Sequence, residues 1–233
     1  MKINTSIIGS LALAIALLGC NNGPATKTSP KDSAKTTTTI DPNALLFTSA
    51  TINDALPAFE EKKDTCTFIN EDEWRQIEFI SKDYKTDIDK EIADIKNIYD
   101  NFSHDGETYS AYKKIAVRKL ITQPLSIDFS KLKAYLTNKA ISMEGLAIEN
   151  NPGKVKGGFF FTVNGISYYV VVDNNTVKTF CIYSCDSDAE LKAGSVQLAK
   201  LLEKEKLYLV DWRAMQVYDE VTIKTQLAQG NEE

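Results

Sequence analysis

The sequence predicts an α+β fold built on an antiparallel sheet, and three observations carry the prediction. Residues 156–163 and 166–173 read as strands flanking Asn164-Gly165, the strongest short hairpin signal there is. Between Ile77 and Phe102 the apolar residues recur at steps of three and four, the period of one helix face. Helical and strand patterns are segregated along the chain more than they alternate, which favours α+β over a parallel α/β sheet.

The chain opens with Lys2 and an uncharged, mostly apolar run over residues 7–18 (IIGSLALAIALL). As helix that run is roughly 18 Å long, short of the ~20 residues a bilayer span needs. A basic start, a short apolar core and a small residue before a cut describe a secretory signal peptide. The run closes on Leu17-Leu18-Gly19-Cys20, which resembles the lipobox of bacterial lipoproteins. The resemblance covers the leader and anchor alone. It implies removal of residues 1–19, lipid on the Cys20 thiol and acylation of the new amine. Two or three acyl chains anchor stably where one is marginal. The expected address is the cell envelope. Asn21, where a retention aspartate would keep the chain at the inner membrane, favours the outer membrane.

Residues 20–39 are read as a tether. Thr, Ser, Pro, Lys and Asn dominate there without a large apolar residue, so burial cannot offset the entropy of ordering. Residues 40–233 suit one α+β domain, mainly helical over 40–138 and mainly sheet over 139–224. Setting aside Lys2, Lys27, Lys31, Lys35 and Asp32 leaves 23 basic and 31 acidic residues, a net charge of about −8. That balance disfavours polyanionic partners such as nucleic acid.

A long helix is expected from Asn70. Asn70 and Glu73 make a capping-box pattern, with Ile69 and Trp74 placed as a hydrophobic staple. The apolar positions then run Ile77, Ile80, Tyr84, Ile88, Ile92, Ile95, Tyr99 and Phe102, with a break possible over residues 82–86. Asp83, Asp87, Asp89, Glu91 and Asp94 are read as a solvated face, not a metal cluster. Residues 102–108 read as a turn around Asp105-Gly106, and residues 109–121 fit neither period. A short helix over 128–138 is capped by Asp128, with Leu132, Tyr135 and Leu136 inward.

Strands follow over 143–148, 156–163, 166–173 and 176–183. Turns of two residues at Asn164-Gly165 and Asn174-Asn175 pair Phe161 with Tyr168, Val172 with Val177 and Tyr168 with Cys181. One face then carries Phe159, Phe161, Tyr168, Val170 and Cys181, and the reverse face carries Phe160, Tyr169 and Phe180 as an aromatic ladder. A half-apolar reverse face needs a cover, either another layer or a partner. A helix capped by Asp186 or Asp188 buries Leu191, Leu198, Leu201 and Leu202, and residues 206–212 return to the sheet. Residues 215–223 extend that strand, and the chain frays from about Thr225.

Candidate functional residues are few. In an oxidising envelope Cys66 and Cys185 are expected to bridge, leaving Cys181 as a buried thiol. His104 is the one histidine, and no nucleophile elbow, Walker loop, dinucleotide fingerprint or HExxH accompanies it. A Cys-x₃-Cys pair with one histidine makes a poor zinc site. The acids at residues 186–190 are better explained by helix capping than by a calcium loop. No cofactor or metal is expected. Asp211, Trp212 and Arg213 have the composition of an interface hot spot, the alternative being a core tryptophan with a charged rim. Together these features point to a non-enzymatic, lipid-anchored protein binder of the immunity or inhibitor kind. The alternatives are a cell-wall or glycan hydrolase using paired carboxylates and a small-ligand-binding lipoprotein.

Overall fold

The fold comes from a computed structural model that describes residues 49–52, 57–62, 65–105, 110–112, 114, 117–119, 125–185 and 187–228. Cys20, the lipobox and the tether lie outside them. In chain order the first strands are β1 (Thr51–Ile52), β2 (Phe59–Glu60), β3 (Cys66–Ile69) and β4 (Ile77–Ser81), followed by helix α1 (Lys85–Phe102). Next come β5 (Ser103–Asp105), β6 (Ser110–Tyr112), β7 (Val117–Arg118) and α2 (Phe129–Leu136). The central strands are β8 (Glu144–Ile148), β9 (Lys154–Val155), β10 (Gly158–Val163), β11 (Ile166–Asp173) and β12 (Thr176–Cys185). The chain ends with α3 (Asp188–Lys204), β13 (Leu207–Asp211), β14 (Gln216–Tyr218) and α4 (Thr222–Ala228).

Eight of the strands form one sheet in the order β14-β13-β4-β12-β11-β10-β8-β3, antiparallel except where β3 runs parallel to β8. The α+β expectation with an antiparallel-dominated sheet therefore holds. The β10–β11 hairpin has the expected register, Val163 opposite Ile166 and Phe161 opposite Tyr168. Asn164 (φ 51°) and Gly165 (φ 75°) are both left-handed, as a type I′ turn demands. Asp128 caps α2 through a bond from the Lys131 N–H at 3.1 Å.

Three expectations are corrected. The long helix from Asn70 does not form. Residues 71–73 make one 3₁₀ turn, residues 77–81 are the strand β4, and the helix begins only at Lys85. The apolar spacing Ile77, Ile80, Tyr84 imitates a helix because β4 is a strand apolar on both faces, paired with β12 and β13. The second correction concerns β12. Val171 pairs with Thr179 but Val172 pairs with Val177, so Lys178 is an extra residue. This bulge puts Tyr168 opposite Ile182 and Tyr169 opposite Cys181. Cys181 thus moves to the reverse face and Phe180 to the front. The third correction is small: α3 is capped by Ser187, whose hydroxyl accepts the Glu190 N–H, instead of by either aspartate.

On the front face Phe161, Tyr168, Phe180 and Phe79 stack in sequence across four strands, with ring centroids 5.6, 5.5 and 4.3 Å apart. Leu132 and Leu136 of α2, Leu198, Leu201 and Leu202 of α3 and Ile223 of α4 join the same core. The reverse face has its own cover. Ile88 and Ile95 of α1 share a cluster with Ile80, Val210 and Trp212, while Ile69 and Trp74 pack with Leu146, Tyr169 and Cys181. The chain itself supplies the layer that the apolar reverse face requires.

Candidate functional site

On the reverse face β4 carries a carboxylate where its neighbours carry apolar side chains. Alternation along Ile77–Ser81 sends Phe79 into the front core and Glu78 and Ile80 to the back. Glu78 is 3 % exposed, and burying a charge demands partners. Its Oε2 accepts Nε–H of Arg75 at 2.6 Å, and its Oε1 accepts Nε1–H of Trp212 at 3.0 Å. A second guanidinium, that of Arg118 on β7, stands with Nη1 3.5 Å from the same Oε1. Its central carbon lies 4.7 Å from the Trp212 ring centroid, a cation–π placement.

The turn before β4 aims Arg75 inward. The Asn70 side chain accepts the Asp72 N–H at 2.9 Å and starts the 3₁₀ turn, and Arg75 leaves it in the left-handed region at φ 56°. For a residue with a Cβ this conformation is costly and must be held from outside. The Arg75 N–H donates to the Tyr169 hydroxyl at 2.5 Å, and that hydroxyl donates onward to the Glu73 carbonyl at 3.3 Å. The Gln76 amide nitrogen donates to the Ala50 carbonyl at 2.9 Å, and the Gln76 carbonyl accepts the Trp212 N–H at 3.0 Å.

Electrostatically this is a dry cluster. Burial, then the Cys181 thiol beside it, pushes the Tyr169 phenol well above its ordinary range. Burial, then the Glu78 carboxylate, pushes the Cys181 thiol up likewise. Burial pulls the Arg118 guanidinium down to about 10, against the upward pull of Glu78. Thiol and phenol stay protonated at neutral pH, and both Glu78 oxygens are engaged. The arrangement holds charge; it activates no nucleophile. His104 lies in β5, opposite Ala111 of β6. Among the described residues no group of three His, Cys, Asp or Glu is placed to hold a metal. Of the acids along α1, Glu91 departs from the solvated face: it is buried, and its Oε2 accepts the Lys119 N–H at 3.0 Å.

The expected site residues fall elsewhere. Cys66 is on the edge strand β3 and Cys185 ends β12, with β8, β10 and β11 between them. Strands stand about 4.8 Å apart, so the pair is far beyond the ~7 Å reach of a disulfide. The expected bridge is not compatible with this topology. Cys181 is buried, next to Glu78 across the β12–β4 pair. Trp212 is fully buried, so it offers no surface to a partner; it is the core tryptophan of the alternative reading. Asp211 accepts the N–H groups of Arg213 and Ala214, both at 3.0 Å, and so shapes the β13–β14 turn. Arg213 Nη1 reaches both carboxylate oxygens of Glu73, at 3.0 and 2.8 Å.

Sequence reasoning passed over Arg75, Glu78, Arg118 and Tyr169. The available signal was a lone charge inside an apolar run, Glu78 in IEFI; Arg118, next to Lys119 in IAVRKL, carried none. At the surface, an open groove of about 570 Å³ is lined by Phe59, Glu60, Glu61, Lys62, Pro152 and Gly153. Comparison of the chain with protein-family models, with curated proteins and with solved structures finds no match.

Proposed function

We propose that this chain is a lipid-anchored protein of the bacterial cell envelope, held by acyl chains on Cys20, that acts by binding another protein. An immunity or inhibitor-type role against an envelope toxin or hydrolase is the concrete form. The observation that carries the address is Leu17-Leu18-Gly19-Cys20 at the end of a 12-residue apolar run. A polar stretch over residues 21–39 is what lets such a domain stand off the membrane and meet a partner. The acidic balance of the remainder suits a basic protein surface. Consistent with binding over catalysis, Arg75 and Trp212 occupy both carboxylate oxygens of Glu78.

A fatty-acid probe fed to expressing cells is expected to label the wild type and not Cys20→Ala. Equal labelling of both would remove the anchor. Crosslinking in intact envelopes is then expected to trap a protein with the wild type. The groove beside Glu60 and Glu61 supports a second reading, a small polar ligand. A Glu60→Gln/Glu61→Gln double variant keeps its crosslinked partner on the first reading. It loses ligand binding, with nothing crosslinked, on the second.

A further inference from the structure

The reverse face of the sheet is sealed over β4 and β13 by Ile88 and Ile95, and over the middle of β11 and β12 by Ile69 and Trp74. Toward the Asn164-Gly165 turn that cover runs out. Thr162 is exposed there, and the Phe160 and Tyr183 rings are half-buried. The two rings meet edge to face with centroids 5.7 Å apart. Thr162 lies two residues beyond Phe160, on the same face, and shares a 2.9 Å hydrogen bond with Ser167 across the hairpin. Among the described residues nothing bonds the Tyr183 hydroxyl, and it is not enclosed, so it meets solvent.

This aromatic shelf has an acidic rim. Glu144 stands opposite Phe160 on β8. Burial, then the carboxylates of Glu73 and Glu149, pushes the Tyr183 phenol above its ordinary range, so both acids lie within electrostatic reach of that ring. Each acid already accepts from one side chain: Glu144 from Thr67 at 2.6 Å, Glu149 from Asn70 at 3.2 Å, and Glu73 from Arg213 at 3.0 and 2.8 Å. An ionised carboxylate has about four acceptor sites, so capacity remains on all three. Of these donors Arg213 alone is a cation, which leaves the rim with a negative excess. We infer that the shelf is the docking surface for a basic protein, and that it takes a lysine or arginine side chain. The cation rests on the Phe160 and Tyr183 rings and donates to the rim carboxylates. This inference rests on the protein-binding reading above. The same rim repels a nucleic acid or an anionic lipid surface.

The experiment uses the full chain in intact envelopes. Photoreactive benzoylphenylalanine replaces Thr162 or, as a control, Ala93, which is exposed on α1. Illumination is expected to trap a protein from position 162 and not from position 93. The trapped peptide, read by mass spectrometry, is expected to carry lysine or arginine beside the adduct. Glu144→Gln/Glu149→Gln is expected to cut the yield roughly ten-fold, the equivalent of about one charge-assisted hydrogen bond. Asp87→Asn/Asp94→Asn, the same loss of charge on α1, is expected to leave the yield unchanged. Both variants are expected to keep the wild-type urea midpoint, since all four side chains are exposed. Equal yields from the two variants, or a trapped peptide without a basic residue, overturn the docking surface. Trapping from position 93 alone overturns it too, while the protein-binding reading stands. No protein trapped from either position overturns both.

Discussion

Glu78 holds together one face of the sheet by accepting from Arg75 on one oxygen and from Trp212 on the other. Removing its charge while keeping its shape takes the carboxylate charge away from the buried Arg75 and Arg118 guanidiniums. Glu78→Gln is therefore expected to lose about 3–5 kcal/mol of stability, read from urea denaturation. Trp212→Ala should cost a similar ~3–5 kcal/mol, since the ring is wholly enclosed. A Trp212→Ala protein that melts like wild type would contradict the buried placement.

The same residues set the alkaline limit. The Cys181 thiol has an ordinary value of 9.0 and is raised in the fold, mainly by burial. Its contribution to stability is complete below pH 9 and is lost as pH rises from there. The phenols of Tyr168 and Tyr169, also raised by burial from 10.0, add to the loss above pH 10. Arg118 works the other way. Burial pulls its value down to about 10, so the penalty for burying its charge is present below pH 10 and lifts above it. Urea midpoints are expected to drop between pH 9 and 10 in the wild type and to stay flatter there in Cys181→Ala. An identical drop in both proteins would acquit the thiol.

Among the elements, the bulge at Lys178, one of two register shifts between β11 and β12, decides most. Without it the alternation would keep Tyr168 and Cys181 together. With Lys178 bulged out, Phe180 joins the front stack and Cys181 turns to Glu78. Deleting Lys178 forces each later side chain of β12 to the opposite face. Because both faces are buried, no slipped register rescues it. The deletion variant is expected to lose its cooperative melt and near-UV dichroism. A cooperative melt with native near-UV bands would show that the bulge is dispensable. The hairpin turns were legible because Asn-Gly and Asn-Asn carry their own backbone preference. The bulge was not, since nothing local distinguishes Lys178 from its neighbours. The strand β4 was misread for a related reason: a strand covered on both faces loses the period of two that identifies it.

At the scale of the whole domain, the sheet brings together segments far apart in sequence. Trp212 donates to a carboxylate 134 residues before it, and β3 pairs with β8, Cys66 opposite Gly145. Such long-range pairings close large loops before they gain contacts, so stopped-flow refolding is expected to take milliseconds to seconds. A microsecond phase that recovers the full native signal would be at odds with this topology.

The sequence by itself determined the α+β class, the two tight turns, the Asp128-capped helix and the register of the first hairpin. Each of these is local, set by turn chemistry, caps or side-chain period within a few residues. The lipobox-like pattern Leu17-Leu18-Gly19-Cys20 is local in the same sense. The tertiary structure alone decided that β4 is a strand, that Trp212 is enclosed, and that three strands stand between Cys66 and Cys185. It also gathered Arg75, Glu78, Arg118, Tyr169 and Cys181 from four places in the chain into one buried cluster. Their charge, hydroxyl and thiol have meaning only through distance and the exclusion of water, and a linear sequence encodes neither.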